Sequence, residues 1–220
     1  MSRPYKLIIF DWDGTLMDSQ ARIVSCIQAA CRDLKLPVPD EAAAKNVIGL
    51  GLQEACRQLL PESRPPVHQE MSERYRYHFL SANATPSELF GGVEAMLDEL
   101  EQRGHFLAIA TGKGRQGLDS VLKETGLQGR FHATRTSDET ASKPNPLMLH
   151  ELLDFFGVET DEALMIGDTE YDMEMAVHAR MDALAVSYGV HEVERLLRHA
   201  PLACVDSIPA MQRWLINETV

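Results

Sequence analysis

Asp11 and Asp13, two carboxylates one residue apart, end the apolar, β-prone run Lys6-Leu-Ile-Ile-Phe10, and Gly14 and Thr15 follow them. A short apolar run bounded by turn residues reads as a strand buried on both faces. Such strands belong to parallel sheets, whose ligands bind at the carboxyl ends. A carboxylate placed there binds a hard cation through oxygen, attacks phosphorus or moves a proton. A single aspartate after a strand is as well explained by a turn or a helix cap, but here the pattern recurs. His105-Phe-Leu-Ala-Ile-Ala110 runs into Thr111-Gly112-Lys113, and Ala163-Leu-Met-Ile166 runs into Gly167-Asp168, with Asp172 four residues on. Ser142-Lys143-Pro144-Asn145-Pro146 lies between them. If the three strands are parallel neighbours, one sheet edge gathers Asp11, Asp13, Thr111, Lys143 and Asp168. Carboxylates crowded in this way repel one another and their pKa values rise. A divalent ion with oxygen ligands relieves that repulsion, and Mg2+ is the usual one beside phosphate.

The elements that must position these residues follow from periodicity. Ser19 opens an amphipathic helix to about Leu36 as its cap, with Ile23, Val24, Ile27, Ala30, Cys31 and Leu34 on one face. Pro37 and Pro39 end it, and Asp40 caps a second helix to about Val47. Gly49-Leu-Gly51 interrupts, Leu52 to Leu60 forms a third helix, and Pro65-Pro66 opens a fourth that fades near Asn83. No strand signal occurs from Met17 to Pro86, so residues 17–86 read as an all-helical insertion. From Phe90 helix and strand alternate, with strands at Phe106–Ala110, Phe131–Thr134, Leu164–Ile166, Ala183–Val186 and Leu202–Val205. Alternation of this kind predicts an α/β fold with a doubly wound parallel sheet over residues 1–16 and 87–220.

Bulk properties narrow the function. The chain has 220 residues, 45% hydrophobic and 25% charged, ordinary values for a globular protein. A net charge of −12 argues against nucleic acid as the main partner, because phosphate backbones reward a basic face. Lys113 and Arg115 read as solvated loop residues and Lys45 as a surface lysine. The start, Met1-Ser-Arg-Pro-Tyr-Lys, leads directly toward the first strand without signal-peptide or membrane-spanning character. Cys26, Cys31, Cys56 and Cys204 form no close CxxC pair. They read as buried free thiols in a reducing cytoplasm, and no Cys/His spacing suits zinc.

Asp11-Trp-Asp13-Gly-Thr15, Thr111, Lys143-Pro and Gly167-Asp168-xxx-Asp172, in this order, resemble the four motifs of the haloacid dehalogenase-like (HAD) hydrolase superfamily. The insertion after the first motif is similar to the α-helical cap of its phosphoglycolate phosphatase and β-phosphoglucomutase branch. The resemblance implies a Rossmann-like HAD core with an inserted α-helical cap domain. It makes Asp11 the nucleophile and Asp13 the general acid and base. Thr111 and the backbone N–H groups after it, Gly112 included, would hold the phosphoryl oxygens, and Lys143 would neutralise charge. Asp168 would bind Mg2+ together with the Asp11 carboxylate and the Asp13 backbone carbonyl, with Asp172 in the outer shell. The cap turn Gly49-Leu50-Gly51-Leu52 would reach the substrate. Gly112 departs from the branch, which often carries Asn there, and Trp12, bulkier than the usual residue, is expected to fill space between strand and cap. His68 and His178 lie outside the motifs and read as surface or packing residues.

The expected reaction is Mg2+-dependent hydrolysis of a small phosphorylated metabolite, such as phosphoglycolate or a sugar phosphate, through an aspartyl-phosphate. The Asp11/Asp13 pair disfavours dehalogenation, which needs no general acid. Inorganic pyrophosphatase and phosphomutase activities remain as alternatives within the superfamily. A phospho-accepting signalling domain without turnover is the alternative of another class, but its acceptor follows a middle strand and it has no cap. Oligomeric state is left open by the sequence.

Overall fold

The computed structural model describes residues 5–218. The outermost parts of the expected core, residues 1–4 and 219–220, lie outside the described residues. Strand β1 (Leu7–Phe10) is wholly buried, as its apolar run requires. It is followed by the short β2 (Met17–Asp18) and then by helices α1 (Gln20–Asp33), α2 (Glu41–Asn46), α3 (Leu52–Leu59) and α4 (Pro65–Tyr77), the last widening into a π-helical turn over His78–Ala82. Strand β3 (Glu88–Leu89) precedes α5 (Val93–Gln102), β4 (Phe106–Thr111), α6 (Arg115–Glu124), β5 (Ala133–Thr136) and α7 (Leu147–Phe156). Then come β6 (Ala163–Gly167), α8 (Glu170–Ala179), β7 (Asp182–Val186), α9 (Val193–Leu197), β8 (Ala203–Val205) and α10 (Ile208–Glu218).

Six of the strands form one parallel sheet in the order β5-β4-β1-β6-β7-β8. This is the doubly wound α/β sheet that the alternation predicts. Side chains alternate across it with the strand period of two. Ile8 and Phe10 enter a core with Leu97, Leu118, Val121 and Met211, from α5, α6 and α10. Leu7 and Ile9 enter the opposite core with Leu149, Leu152, Met173 and Ala176, from α7 and α8. The three central strands β4, β1 and β6 are parallel neighbours, so their carboxyl ends share one edge.

Three local expectations are corrected. Met17–Asp18 is a strand, paired antiparallel with Glu88–Leu89. A two-residue strand made only by a partner about seventy residues away leaves no local periodicity. Ser19 precedes α1 but makes no side-chain cap bond; its hydroxyl is committed to Asp13 instead. Strand β5 begins two residues later than expected, because its ladder with β4 starts where Ala133 meets Ala108. Asp40 does cap α2, accepting from Ala43 N at 2.8 Å, and Gly157 ends α7 in the left-handed conformation that favours glycine. All four cysteines are free; Cys26, Cys31 and Cys56 are buried and Cys204 is half-buried. Trp12 is fully buried in the core, its Nε1 facing Met17 Sδ at 3.1 Å and its ring edge-on to Phe131. His68 is buried on the Leu60 carbonyl and His178 bonds the Pro144 carbonyl. Among the described residues no helix is long and apolar enough to cross a membrane.

Candidate active site

The edge shared by β4, β1 and β6 gathers Asp11 after β1, Thr111 at the end of β4 and Asp168 after β6. Asp11 N still donates to Ile166 O at 2.9 Å, so the β1–β6 ladder holds its backbone. The chain then turns sharply, with the amides of Leu16 and Met17 both donating to Trp12 O. Gly14 is obligatory in this turn. Its φ is +84°, and a Cβ there would stand 2.1 Å from Asp168 Oδ2. The next residue, Thr15, donates from Oγ1 to Asp168 Oδ1 at 2.8 Å. Asp168 Oδ2 accepts from Val190 N at 2.8 Å.

Lys143 is fully buried. Its Nζ lies 2.7 Å from Asp11 Oδ1 and donates to Asp172 Oδ1 at 2.6 Å. The other Asp172 oxygen accepts from Thr169 N and Thr169 Oγ1, the capping box that starts α8. Burial alone would lower the Lys143 pKa, but Asp11 and Asp172 override it and raise it, so the ammonium stays charged. Burial pushes the Asp11 carboxyl up to about 7 against the pull of Lys143, with Asp172 and Asp13 adding repulsion. Burial, then Asp11 and Asp172, raise Asp168 as well.

Ligand oxygens of Asp11, Asp168 and Asp172 lie within 4.8 Å of one another. With Lys143 charged, three ionised carboxylates leave two excess negative charges in a buried site. Asp11 Oδ2 has no hydrogen-bond partner among the described residues. Hard oxygen donors, an orphaned buried oxygen and two surplus negative charges fit a hard divalent cation.

The Asp13 side chain is not one of the three clustered carboxylates; the metal contact expected of this residue is through its backbone carbonyl. Ser19 Oγ donates to its Oδ1 at 2.5 Å, and Lys113 Nζ lies 2.9 Å from each of its oxygens. Lys113 is therefore not the solvated loop residue the composition suggested. Its side chain is 7% exposed, and its ammonium stacks 4.2 Å over the Phe79 ring from the helical segment. No local pattern marks this lysine; only its place two residues beyond a strand-end threonine hints at the site. Lys45 is on the surface, paired with Glu41 one helical turn away.

A cavity of about 380 Å³ opens above this edge, and Asp11, Asp13, Thr111, Gly112, Gly49 and Leu50 all line it. Gly112 has a steric reason to be glycine. A Cβ there would stand 2.4 Å from Gly49 O and 2.6 Å from Leu50 O. The turn over residues 49–51 is seated on the core by this contact and by Gly51 N donating to Ser142 Oγ at 2.8 Å. Tyr171 Oη and Arg195 Nη1 anchor the preceding Asn46, each at 2.8 Å. Gly112→Ala should force the turn off its seat at about 1–3 kcal/mol, the usual cost of overpacking. Thermal unfolding and kcat/KM should both fall, and an unchanged value of either contradicts the steric reading.

The family model described as haloacid dehalogenase-like hydrolase matches residues 8–186. The chain is 33% identical to "Probable phosphatase IndB" of Dickeya dadantii, over 91% of this chain and 89% of that protein. It is 29% identical to a phosphoglycolate phosphatase of Aliivibrio fischeri, over 91% of this chain and 92% of that protein. Among solved structures it resembles a "predicted phosphatase" from Clostridium acetobutylicum, with a TM-score of 0.88 and 24% identity over 97% of this chain and 99% of that one.

Proposed function

The chain belongs to the haloacid dehalogenase-like hydrolase family, in its phosphoglycolate phosphatase and β-phosphoglucomutase branch, and is a phosphatase; we propose that it hydrolyses small phosphate monoesters through an aspartyl-phosphate on Asp11, with Mg2+ as cofactor. The observation that carries this reading is Asp11 itself. It is a buried carboxylate at the end of the central strand, with one oxygen on Lys143 and the other unpartnered, and it lines the cavity.

In the proposed reaction a carboxylate oxygen of Asp11 attacks phosphorus, and the bond to the leaving oxygen breaks. Asp13 protonates that oxygen, then takes a proton from the water that cleaves the acyl phosphate. Lys143 neutralises charge on Asp11 and the incoming phosphoryl group. Thr111 and the Gly112 backbone bind phosphoryl oxygens, and Ser19 and Lys113 hold the Asp13 carboxylate in place. Asp11, Asp168 and the Asp13 backbone would hold Mg2+, with Asp172 outside them. The ion supplies charge neutralisation at the phosphoryl oxygens, the main requirement of phosphoryl transfer.

Residues 17–86 serve as the cap and 1–16 with 87–220 as the core. The paired strands β2 and β3, where the chain leaves the core and returns, support a hinge there. Closure over the site expels water and protects the acyl phosphate. A closed cap also favours a small soluble substrate over a phosphoprotein or nucleic acid.

The cofactor is tested by removal. EDTA should stop phosphate release from a panel of monoesters, and Mg2+ should restore it; full activity in metal-free buffer would remove Mg2+ from the reaction. Stability gives an independent reading. The Asp11 pKa is raised from 3.8 to about 7 in the metal-free fold. Between those values the folded state binds more protons than the unfolded state, so metal-free stability falls as pH rises through this window. Added Mg2+ should therefore raise Tm more at pH 7.5 than at pH 5.

A further inference from the structure

The cavity above Asp11 and Asp13 has two unlike sides. Its core side carries the polar groups that would act on a phosphate. The inner part of the wall facing them, where a leaving group would sit, is made of Ile23, Ile27, Val47, Leu50, Tyr75 and Phe79, while the exposed Gln53, Arg57 and Arg76 and the half-buried Glu54 line the cavity nearer solvent. Ile23, Ile27, Val47, Leu50 and Phe79 are all buried. The Tyr75 and Phe79 rings are stacked with centroids 5.8 Å apart. Phe79 is further held by Lys113 on one contact and by Arg22, whose guanidinium lies 4.6 Å from the ring centre. The one ammonium facing this wall, Lys113, is already engaged by Asp13.

From this division we infer that the substrate is a phosphate ester whose leaving group has a compact apolar or aromatic body, rather than a polyhydroxylated sugar or a bare glycolate. The inference rests on the monoesterase reading and deepens it. A sugar placed against the inner part of this wall loses water from several hydroxyls and meets only the Tyr75 hydroxyl there. Of the polar groups nearer solvent, Arg57 pairs with Glu54, Gln53 bonds Ser72 and Arg76 is exposed. Buried hydroxyls without partners are disfavoured. An apolar body of similar size loses nothing polar and gains the aromatic contact. Glycolate is much smaller than a cavity of about 380 Å³, and its carboxylate would have to compete with Asp13 for Lys113, compete with Glu54 for Arg57, or settle for the solvent-exposed Arg76.

The comparison uses esters of primary alcohols, so that leaving-group chemistry is similar. With Mg2+ present, kcat/KM for benzyl phosphate should exceed that for glucose 6-phosphate and for 2-phosphoglycolate by at least about tenfold, the scale at which an apolar pocket discriminates. Either of the polar esters matching or exceeding benzyl phosphate overturns the inference and leaves the phosphatase reading standing. Binding is measured in parallel by calorimetry with benzylphosphonate, which cannot be hydrolysed at its C–P bond, against the corresponding glucose phosphonate. If no ester is turned over, the monoesterase reading falls and the phosphonate affinities alone decide the pocket: tighter benzylphosphonate supports the apolar site, and equal or weaker binding overturns it. Ile27→Thr, a small polar change in the wall, should shrink the benzyl preference several-fold in a variant that circular dichroism shows to be folded, at a lower Tm because Ile27 is buried. A wild-type preference in that folded variant would overturn the role of this wall.

Discussion

Asp11→Asn is expected to abolish turnover while the protein stays folded. The replacement is close in size, and Asp11 is 1% exposed in a packed site. It turns the Asp11 carboxylate into a neutral amide, and an amide does not form an acyl phosphate. Loss of a covalent nucleophile removes the reaction path itself. The drop in kcat should be at least about 10³-fold, roughly 4 kcal/mol of barrier. The change also removes one of three crowded negative charges, so circular dichroism and thermal unfolding should show a folded chain. Activity within about tenfold of wild type, equivalent to ~1.4 kcal/mol, would exclude Asp11 as the nucleophile.

Lys143→Met should produce the largest loss of stability. The lysine side chain is completely buried between Asp11 and Asp172. Methionine fits the shaft of the side chain but supplies no charge. Asp11, Asp168 and Asp172 would then face one another with no cation, and breaking a buried ion pair in this way costs about 3–5 kcal/mol. At about 2–4 °C per kcal/mol for a chain of this size, metal-free Tm should fall by roughly 6–20 °C. Activity should fall as well, because the incoming phosphoryl group would meet uncompensated carboxylates. Asp172→Asn combined with Lys143→Met should recover part of the stability by removing one of the repelling charges. A metal-free Tm within about 2 °C of wild type in Lys143→Met would show that the pair contributes little. A double variant no more stable than the single one would show that the loss comes from packing rather than charge.

The parts of this protein legible in the sequence are those written in short stretches of chain. Each of the three central strands is an apolar run that stops at a polar, turn-forming residue. Apolar runs of that length favour a sheet buried on both faces, so Asp11, Thr111 and Asp168 could be placed at strand ends before any contact was known. Their order along the chain, with Lys143 between the second and third, carried the resemblance to the family. Helix punctuation was local too: Asp40 caps α2 and Gly157 stops α7 through contacts within a few residues. Contacts between residues far apart in sequence were decided only by the tertiary structure. Strands β2 and β3 exist because the two crossings into and out of the helical segment pair with each other. Ser19 leaves its helix to bond Asp13, and Lys113, an ordinary loop lysine by pattern, is buried because Asp13 and Phe79 converge on it. Gly112 is read from sequence as a lost side chain, whereas the fold shows two carbonyls where that side chain would stand. The apolar wall of the cavity combines residues from α1, the turn after α2, and α4 with its π-helical extension. Each contributes one or two side chains that in its own segment look like ordinary core. Periodicity reports which face of an element is buried, and only packing determines whether that face meets another helix or a substrate.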